Sequence, residues 1–262
     1  MSARCPHCEG TGFVYVEKDG LQFAQPCVCR RTVAATGSDI LDLCRIPPRY
    51  EHCTLASFDG GSGALQAALN KVQNYCAAYP FLGGDDEGLG LLFTGGNGVG
   101  KTHLAVAALR ELVATKGARG QFWDCHELIR EIKNSYNPET RTTELQVLSP
   151  VVDADILVLD DLGAWKMTDW MLDTLFFVLN SRYMAKRATL ITTTFPDVAP
   201  ETAARNQSLR RREYLVERVG TRVRSRLMEM CVIVEMQGSD WRQNRQAGNQ
   251  TLVGGPARPT GR

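Results

Sequence analysis

No apolar run of the roughly 18 residues that a membrane-spanning helix needs occurs in the chain, so no transmembrane segment is expected. The first residues, Met1-Ser2-Ala3-Arg4-Cys5-Pro6, lack the apolar stretch of an export signal, and a cytoplasmic location is expected. Surplus charge is lacking too: 30 Lys and Arg stand against 29 Asp and Glu, a net charge of +1. That balance excludes a global electrostatic drive toward nucleic acid and leaves any such binding to local patches. Internal repeats are also absent, which argues against a solenoid or propeller. What is present is apolar material, 44% of 262 residues, enough for one large domain or two smaller ones. Nine cysteines, in a reducing compartment, read as thiols or metal ligands and not as disulfides.

One motif stands out. Gly95-Gly96-Asn97-Gly98-Val99-Gly100-Lys101-Thr102 fits G-x-x-x-x-G-K-[ST], the phosphate-binding P-loop, at each defined position. Its glycines let the backbone turn tightly and aim amide N–H groups at phosphate oxygens. Lys101 reaches the β and γ phosphates of ATP as a mobile charge, and Thr102 offers its hydroxyl to Mg²⁺. The apolar run Leu89 to Phe93 reads as the strand before the loop. The stretch from Thr102 to about Lys116 reads as the helix after it, which sets the phosphates at a helix N-terminus. The bland alternative, a tight glycine turn, does not account for a full motif between strand and helix.

A second half for such a site lies in Ile156-Leu157-Val158-Leu159-Asp160-Asp161. Apolar residues end in two carboxylates at the C-terminal edge of a strand, where open α/β sheets bind ligands. Asp160 is expected to hold Mg²⁺ and Asp161 to act as general base on the attacking water. Taken alone, the pair also reads as solvated acids at a strand end. Leu190-Ile191-Thr192-Thr193-Thr194 reads either as ordinary β-branched strand or as a strand whose tip, Thr194, senses the γ-phosphate. The chain then turns basic, with Arg205, Arg210, Arg211, Arg212, Arg218, Arg222, Arg224 and Arg226 opposed by Glu213 and Glu217. Such a run is either a solvated helix face or a phosphate-recognising one. Part of it suits nucleic acid, and part suits an arginine finger on a neighbouring subunit's ATP.

Residues 89–236 alternate apolar strands with amphipathic helices, which predicts an α/β fold with a five-stranded parallel sheet. Further strands are expected at Gly120–Trp123, within Val151–Leu159, at Leu190–Thr194 and at Cys231–Met236. Gly117 is the expected C-cap of the helix after the P-loop. Asp124 is expected to cap a helix through Tyr136, with Glu127 in a capping-box position. Asp169 is expected to cap another through about Lys186, with Leu172, Leu175, Phe176 and Leu179 buried. A helix from Leu65 to Tyr79 leads in.

Near the N-terminus, Cys5-Pro6-His7-Cys8 forms one knuckle and Cys27-Val28-Cys29 a second. Four thiolates in two close pairs suit tetrahedral Zn²⁺, and so short a segment needs the metal to fold. Free thiols in a flexible arm are the alternative. Cys44, Cys53, Cys76, Cys125 and Cys231 are scattered and read as small core residues.

Together, the P-loop with His103-Leu104-Ala105, Leu159-Asp160-Asp161-Leu162-Gly163, Thr192-Thr193-Thr194 and Gly220-Thr221-Arg222-Val223-Arg224-Ser225-Arg226-Leu227 resemble the DnaC/DnaI-type helicase loaders. These are AAA+ ATPases close to the DnaA initiator, and IstB-type transposition helpers share their core. The resemblance runs from about residue 45 to about 245, from the lead-in Arg45-Ile46-Pro47-Pro48-Arg49-Tyr50 to the closing Asp240-Trp241-Arg242. It implies an AAA+ P-loop fold with its lid absent or minimal. It implies ATP hydrolysis, with Arg226 as the arginine finger, Arg222 supporting the shared nucleotide interface, and His103 joining the nucleotide-binding loop. Thr194 departs from the asparagine often found at the sensor position. Lys166, Thr168 and Trp170 fall where the loaders line a single-stranded DNA channel: a phosphate contact, a hydrogen bond and a base stack. Trp170 otherwise reads as core of the next helix. Zinc modules in some loaders contact the replicative DNA helicase. The expected organisation is a zinc-binding, partner-docking module over 1–36, a linker and lead-in helix over 37–88, an AAA+ ATPase domain over 89–242 and a disordered tail over 243–262. The expected function is loading a replicative helicase onto single-stranded DNA at replication initiation, with self-association through a shared ATP site. The alternative is an IstB-type helper that binds duplex DNA and directs a transposase.

Overall fold

A computed structural model describes residues 13–18, 21–26, 42–61, 63–80, 89–137, 139–140, 142–197 and 213–242. Cys5, Cys8, Cys27 and Cys29, Arg205 and Arg210–Arg212, and the expected tail over 243–262 lie outside them.

Strands β1 (Phe13–Lys18) and β2 (Leu21–Pro26) pair antiparallel, with Phe13 opposite Pro26 and Lys18 opposite Leu21. The sequence reading assigned no strands there, although the β-branched and aromatic residues of Phe13-Val14-Tyr15-Val16 favour an extended chain. Helix α1 (Gly63–Ala78) leads into the main sheet. That sheet holds β3 (Gly90–Gly95), β4 (Gly120–Asp124), β5 (Ile156–Asp160), β6 (Ala188–Thr193) and β7 (Cys231–Met236). All pair in parallel, in the order β4-β5-β6-β3-β7. The crossovers are α2 (Lys101–Lys116), α3 (Cys125–Asn134), α4 (Glu144–Asp153), α5 (Asp169–Met184) and α6 (Leu215–Met230).

A parallel sheet is covered on both faces, so its strands are apolar on both. Leu91, Phe93, Phe122, Ile156, Val158 and Leu190 pack with α1 and α2. The alternate residues Leu92, Trp123, Leu157, Leu159 and Ile191 pack with α3 to α6. Helix α2 is buried nearly all round, from Leu104 through Leu109, and ends at Gly117 in the left-handed conformation (φ 65°). Among the described residues, no helix is long and apolar enough to cross a membrane.

The strand expected within Val151–Leu159 is β5, and Val151–Asp153 before it ends helix α4, which the sequence reading did not assign; Thr143 and Gln146 form the capping box that starts this helix. Three helix boundaries differ from expectation. Helix α5 is capped by Thr168, whose Oγ1 accepts from Met171 N, and not by Asp169. Leu175 and Leu179 are buried as expected, whereas Leu172 and Phe176 are only partly so. Helices α3 and α5 stop at Asn134 and Met184, two residues short of the expected ends.

Candidate nucleotide-binding site

The site forms where β3, β5 and β6 end side by side. Beyond Gly95 the chain turns through residues 96–100 and enters α2 at Lys101. Gly98 (φ 72°) and Gly100 (φ 98°) hold the left-handed conformation that favours glycine. A Cβ on Gly98 would lie 1.8 Å from Asp240 Oδ1, and one on Gly100 would lie 2.7 Å from the Phe58 ring. The loop is therefore bare backbone at the N-terminus of a long buried helix, the arrangement that receives phosphate.

Lys101 is buried, and its Nζ donates to Gly95 O (3.0 Å) and Gly96 O (2.7 Å). Burial pulls its pKa below the usual lysine value; Asp161 and Asp160 oppose that shift, and Arg242 adds to it. Thr102 Oγ1 donates to Asp160 Oδ1 at 2.8 Å, and Thr192 Oγ1 donates to the same oxygen at 2.6 Å. Thr192 Oγ1 also accepts from Asp161 N at 2.9 Å. One β6 hydroxyl thus ties both acids to the P-loop threonine. Burial raises the Asp160 pKa, against the lowering effect of the two hydroxyls. Asp161 sits at φ 59°, rare for a residue other than glycine. Its pKa is also raised by burial, then by Asp124, while Lys101 and Arg242 pull the other way. Asp124 ends β4 in register with Asp160 and caps α3 by accepting from His126 N and Glu127 N. Hard oxygen ligands from Thr102 and Asp160 beside a buried cation fit a nucleotide's phosphates with Mg²⁺.

The remaining expected residues divide. Thr194 lies one residue past β6 and is half-buried; Thr192 is the threonine in contact with Asp160. His103 turns away from the loop: its Nε2 hydrogen-bonds Thr54 O (3.0 Å) and Ser57 Oγ (3.3 Å). Ligating atoms of His52, Cys53 and His103 lie within 4.8 Å of one another. Burial pushes the Cys53 thiol up to about 11 and lowers the His103 pKa, so these two read as neutral packing beside α2. Lys166 and Thr168 are exposed, and so is Trp170, at 37%. The Trp170 ring meets Tyr136 edge-on at 5.9 Å, which removes the reading of Trp170 as core. Arg222 pairs with Asp173 at 3.3 Å and lies over the Phe176 ring. The Arg226 guanidinium stacks 4.0 Å from the Tyr183 ring centroid and pairs with Glu229 at 2.6 Å. Arg222 and Arg226 line a recess of about 350 Å³ with Thr221, Ser225, Phe176 and Glu229.

Residues given no site role from sequence also reach the site. Tyr50 lies beside Thr102 and Asp160, and burial, with the charge of Asp160, raises its pKa. Its ring packs 5.9 Å from Phe122. Arg242 acts electrostatically on Lys101, Asp161 and Tyr50. Thr192 was visible only as one of three adjacent threonines, and nothing local marks Tyr50.

Comparison with known proteins agrees with this geometry. The family model of the IstB-like ATP binding protein matches residues 85–248, well over half of the chain. The chain is 28% identical over 196 residues to the phage-like element PBSX protein XkdC of Bacillus subtilis (strain 168), covering 71% of this chain and 70% of that protein. It is also 28% identical over 190 residues to the replicative helicase loader DnaI of the same organism, covering 72% of this chain but 58% of DnaI. A crystal structure of the DnaC helicase loader superposes with a TM-score of 0.60 at 29% identity, covering 73% of this chain and all of that one (100%). The five-stranded parallel sheet between helices is the AAA+ P-loop architecture that the sequence predicted.

Proposed function

Because the chain belongs to the family of IstB-like ATP-binding proteins, we propose that it is an ATPase that loads a replicative helicase onto single-stranded DNA. The observation that carries the ATPase reading is the junction at Asp160, where P-loop Thr102 and β6 Thr192 meet one carboxylate oxygen at 2.8 and 2.6 Å. Mg²⁺, when bound there, neutralises phosphate charge through Thr102 and Asp160. The backbone of residues 95–100 cradles the phosphates, and Lys101 swings from the Gly95 and Gly96 carbonyls onto the β and γ phosphates. Asp161 accepts the proton of the attacking water. The water oxygen bonds to the γ-phosphorus as the bond to the β–γ bridging oxygen breaks, giving ADP and phosphate. Burial raises the proton affinity of Asp161, which suits a general base. Thr194, just past β6, is the sensor, and Thr192 fixes the acid pair beneath it.

For DNA, Lys166 offers a charge, and Trp170 with Tyr136 offers an exposed aromatic pair. Thr168 Oγ1 accepts from Met171 N, and its own proton remains to donate to a phosphate. The loader reading is supported by similarity to DnaI and DnaC. Docking of the helicase falls to the N-terminal module, with zinc on Cys5, Cys8, Cys27 and Cys29. A transposition helper that prefers duplex DNA is the second reading, which membership of the IstB-like family supports. The test is ATP turnover by purified protein with single- or double-stranded DNA. The proposal expects slow hydrolysis, stimulated by single strands and abolished in Lys101→Ala. Stimulation by duplex alone selects the second reading, and absence of both hydrolysis and ATP-dependent DNA binding overturns the two together.

A further inference from the structure

The chain that leads into the main sheet lays a histidine and a cysteine against the first turn of α2. His52 and Cys53 come from this lead-in, and His103 comes from α2, directly after Thr102. One ligating atom of each lies within 4.8 Å of the other two, and Cys53 Sγ stands 3.8 Å from His52 Nε2. Tetrahedral zinc, with bonds of about 2.3 Å to sulfur and about 2.0–2.1 Å to nitrogen, sets its ligand atoms about 3.3–3.6 Å apart. The His52–Cys53 pair is near that spacing already, and no pair has more than about 1.5 Å to close. His52 is exposed, so its ring can turn to make the adjustment.

The loop that carries two of these residues is held without a metal. Cys53 N donates to Tyr50 O at 3.0 Å, Thr54 N to Ser57 Oγ at 3.0 Å, and Ser57 N to Thr54 Oγ1 at 3.0 Å. His103 Nε2 lies 3.0 Å from Thr54 O. A carbonyl only accepts, so Nε2 carries the ring proton and Nδ1 the lone pair. A metal-binding histidine makes such a bond through the ring nitrogen that does not bind the ion. From this geometry we infer that His52, Cys53 and His103 form a binding site for a zinc-class divalent ion, with water in the fourth position. Thiolate and imidazole select such an ion over Mg²⁺, which keeps the site apart from the one at Thr102 and Asp160. Without metal the Cys53 thiol keeps its proton; the ion displaces that proton as its bond to Sγ forms. Once bound, the ion ties the lead-in, with Tyr50, to the helix that carries Thr102.

The test needs no turnover. It uses the full chain carrying Cys5→Ser, Cys8→Ser, Cys27→Ser and Cys29→Ser, so that added Co²⁺ reports on this site alone. Titration is expected to give one ion per chain, with the visible bands of tetrahedral cobalt and a near-ultraviolet thiolate-to-cobalt band. Zn²⁺ erases both, and excess Mg²⁺ leaves them unchanged. Cys53→Ser removes the thiolate band, and His52→Ala weakens binding by at least about tenfold. Zn²⁺ at about a hundredfold above its Kd raises the thermal midpoint by about 5 °C, and does not in His52→Ala. In the wild-type chain the same ion appears on titration as a second equivalent, likewise lost in His52→Ala. Dialysis against a chelator removes it, because a three-ligand site is open to solvent, and leaves the zinc of the four N-terminal cysteines. If Cys53→Ser fails to fold, His52→Ala, on the surface, decides alone. Absence of the thiolate band from the parent chain, or a Co²⁺ affinity in His52→Ala within twofold of it, overturns the inference.

Discussion

Asp160 carries a conflict that its neighbours only partly relieve. It is 6% exposed, and the hydroxyls of Thr102 and Thr192 both serve its ionised form. Even so, burial raises its pKa. A carboxyl whose folded-state pKa is raised binds its proton more tightly in the folded chain than in the unfolded one. Its contribution to stability is therefore fully present below the unfolded value and is lost as pH rises through the folded value. Above its folded value Asp160 therefore destabilises the ligand-free protein. Asp160→Asn keeps an oxygen for both hydroxyls and removes the charge. Its unfolding midpoint in calorimetry is expected to rise at pH 7 to 8, by about 2–4 °C for each kcal/mol relieved. The gain should vanish as pH falls toward the ordinary aspartate value of 3.8. Mg²⁺ with ATP should stabilise the wild type strongly and the variant little, and the variant should not hydrolyse ATP. A variant less stable than wild type at pH 8 contradicts this account.

Elements divide into those legible in the sequence and those that are not. The β3–P-loop–α2 unit and the Ile156–Asp161 strand were legible because their chemistry is contiguous: loop, lysine, threonine and acid pair each follow their own apolar strand. Helix α4 was not, because Val151-Val152 beside the Ile156–Leu159 run reads as one apolar stretch, although Thr143 and Gln146 already held the capping signal. The partners of Asp160 beyond Thr102, and the approach of Tyr50 and Arg242, depend on strand order and chain return, which local patterns do not encode. Arg182 is the extreme case. It sits in α5 within an otherwise ordinary helical pattern, yet it is 0% exposed. Its Nη1 donates to the carbonyls of Val151 (2.9 Å), Val152 (3.2 Å) and Ala154 (2.7 Å) at the end of α4, and its Nε to Thr189 Oγ1 (3.0 Å) in β6. It thus adds side-chain donors to the carbonyls at the C-terminal end of α4. Arg182→Met removes these donors from the Val151 and Ala154 carbonyls, while Val152 O keeps Arg187 Nη1, so urea denaturation should show a loss of about 3 kcal/mol or more. Turnover per folded molecule should be retained. The β1–β2 hairpin makes another prediction at this scale. Phe13 pairs with Pro26, so the chain enters and leaves the hairpin at one end. Metal analysis should find one zinc per chain, lost in Cys27→Ser with Cys29→Ser, while ATP binding persists.

The molecule as a whole sets Arg226 toward the end of the sheet away from its own P-loop. Helix α6 runs to Met230, and β7 then starts at Cys231, opposite Gly90 at the beginning of β3. The P-loop follows Gly95 at the other end of that strand, about 17 Å away at the usual rise per strand residue. Arg226 precedes the helix end by about one turn, roughly 6 Å along the axis. Its guanidinium is held on the outer face by Tyr183 and Glu229. An arginine so placed is remote from its own chain's P-loop. If Arg226 works, it works on a neighbour, through a head-to-tail interface of the kind that builds rings and filaments. A mixing experiment tests this. Arg226→Ala keeps an intact P-loop but offers no finger; Lys101→Ala keeps the finger but has no working loop. Each alone should be inactive. Mixed one to one, about a quarter of the interfaces in a head-to-tail assembly would join an intact loop to an intact finger, and about that share of wild-type turnover should return. No recovery on mixing, with both proteins shown to co-assemble, would remove Arg226 from the shared site and leave the Tyr183–Glu229 stack as its whole role.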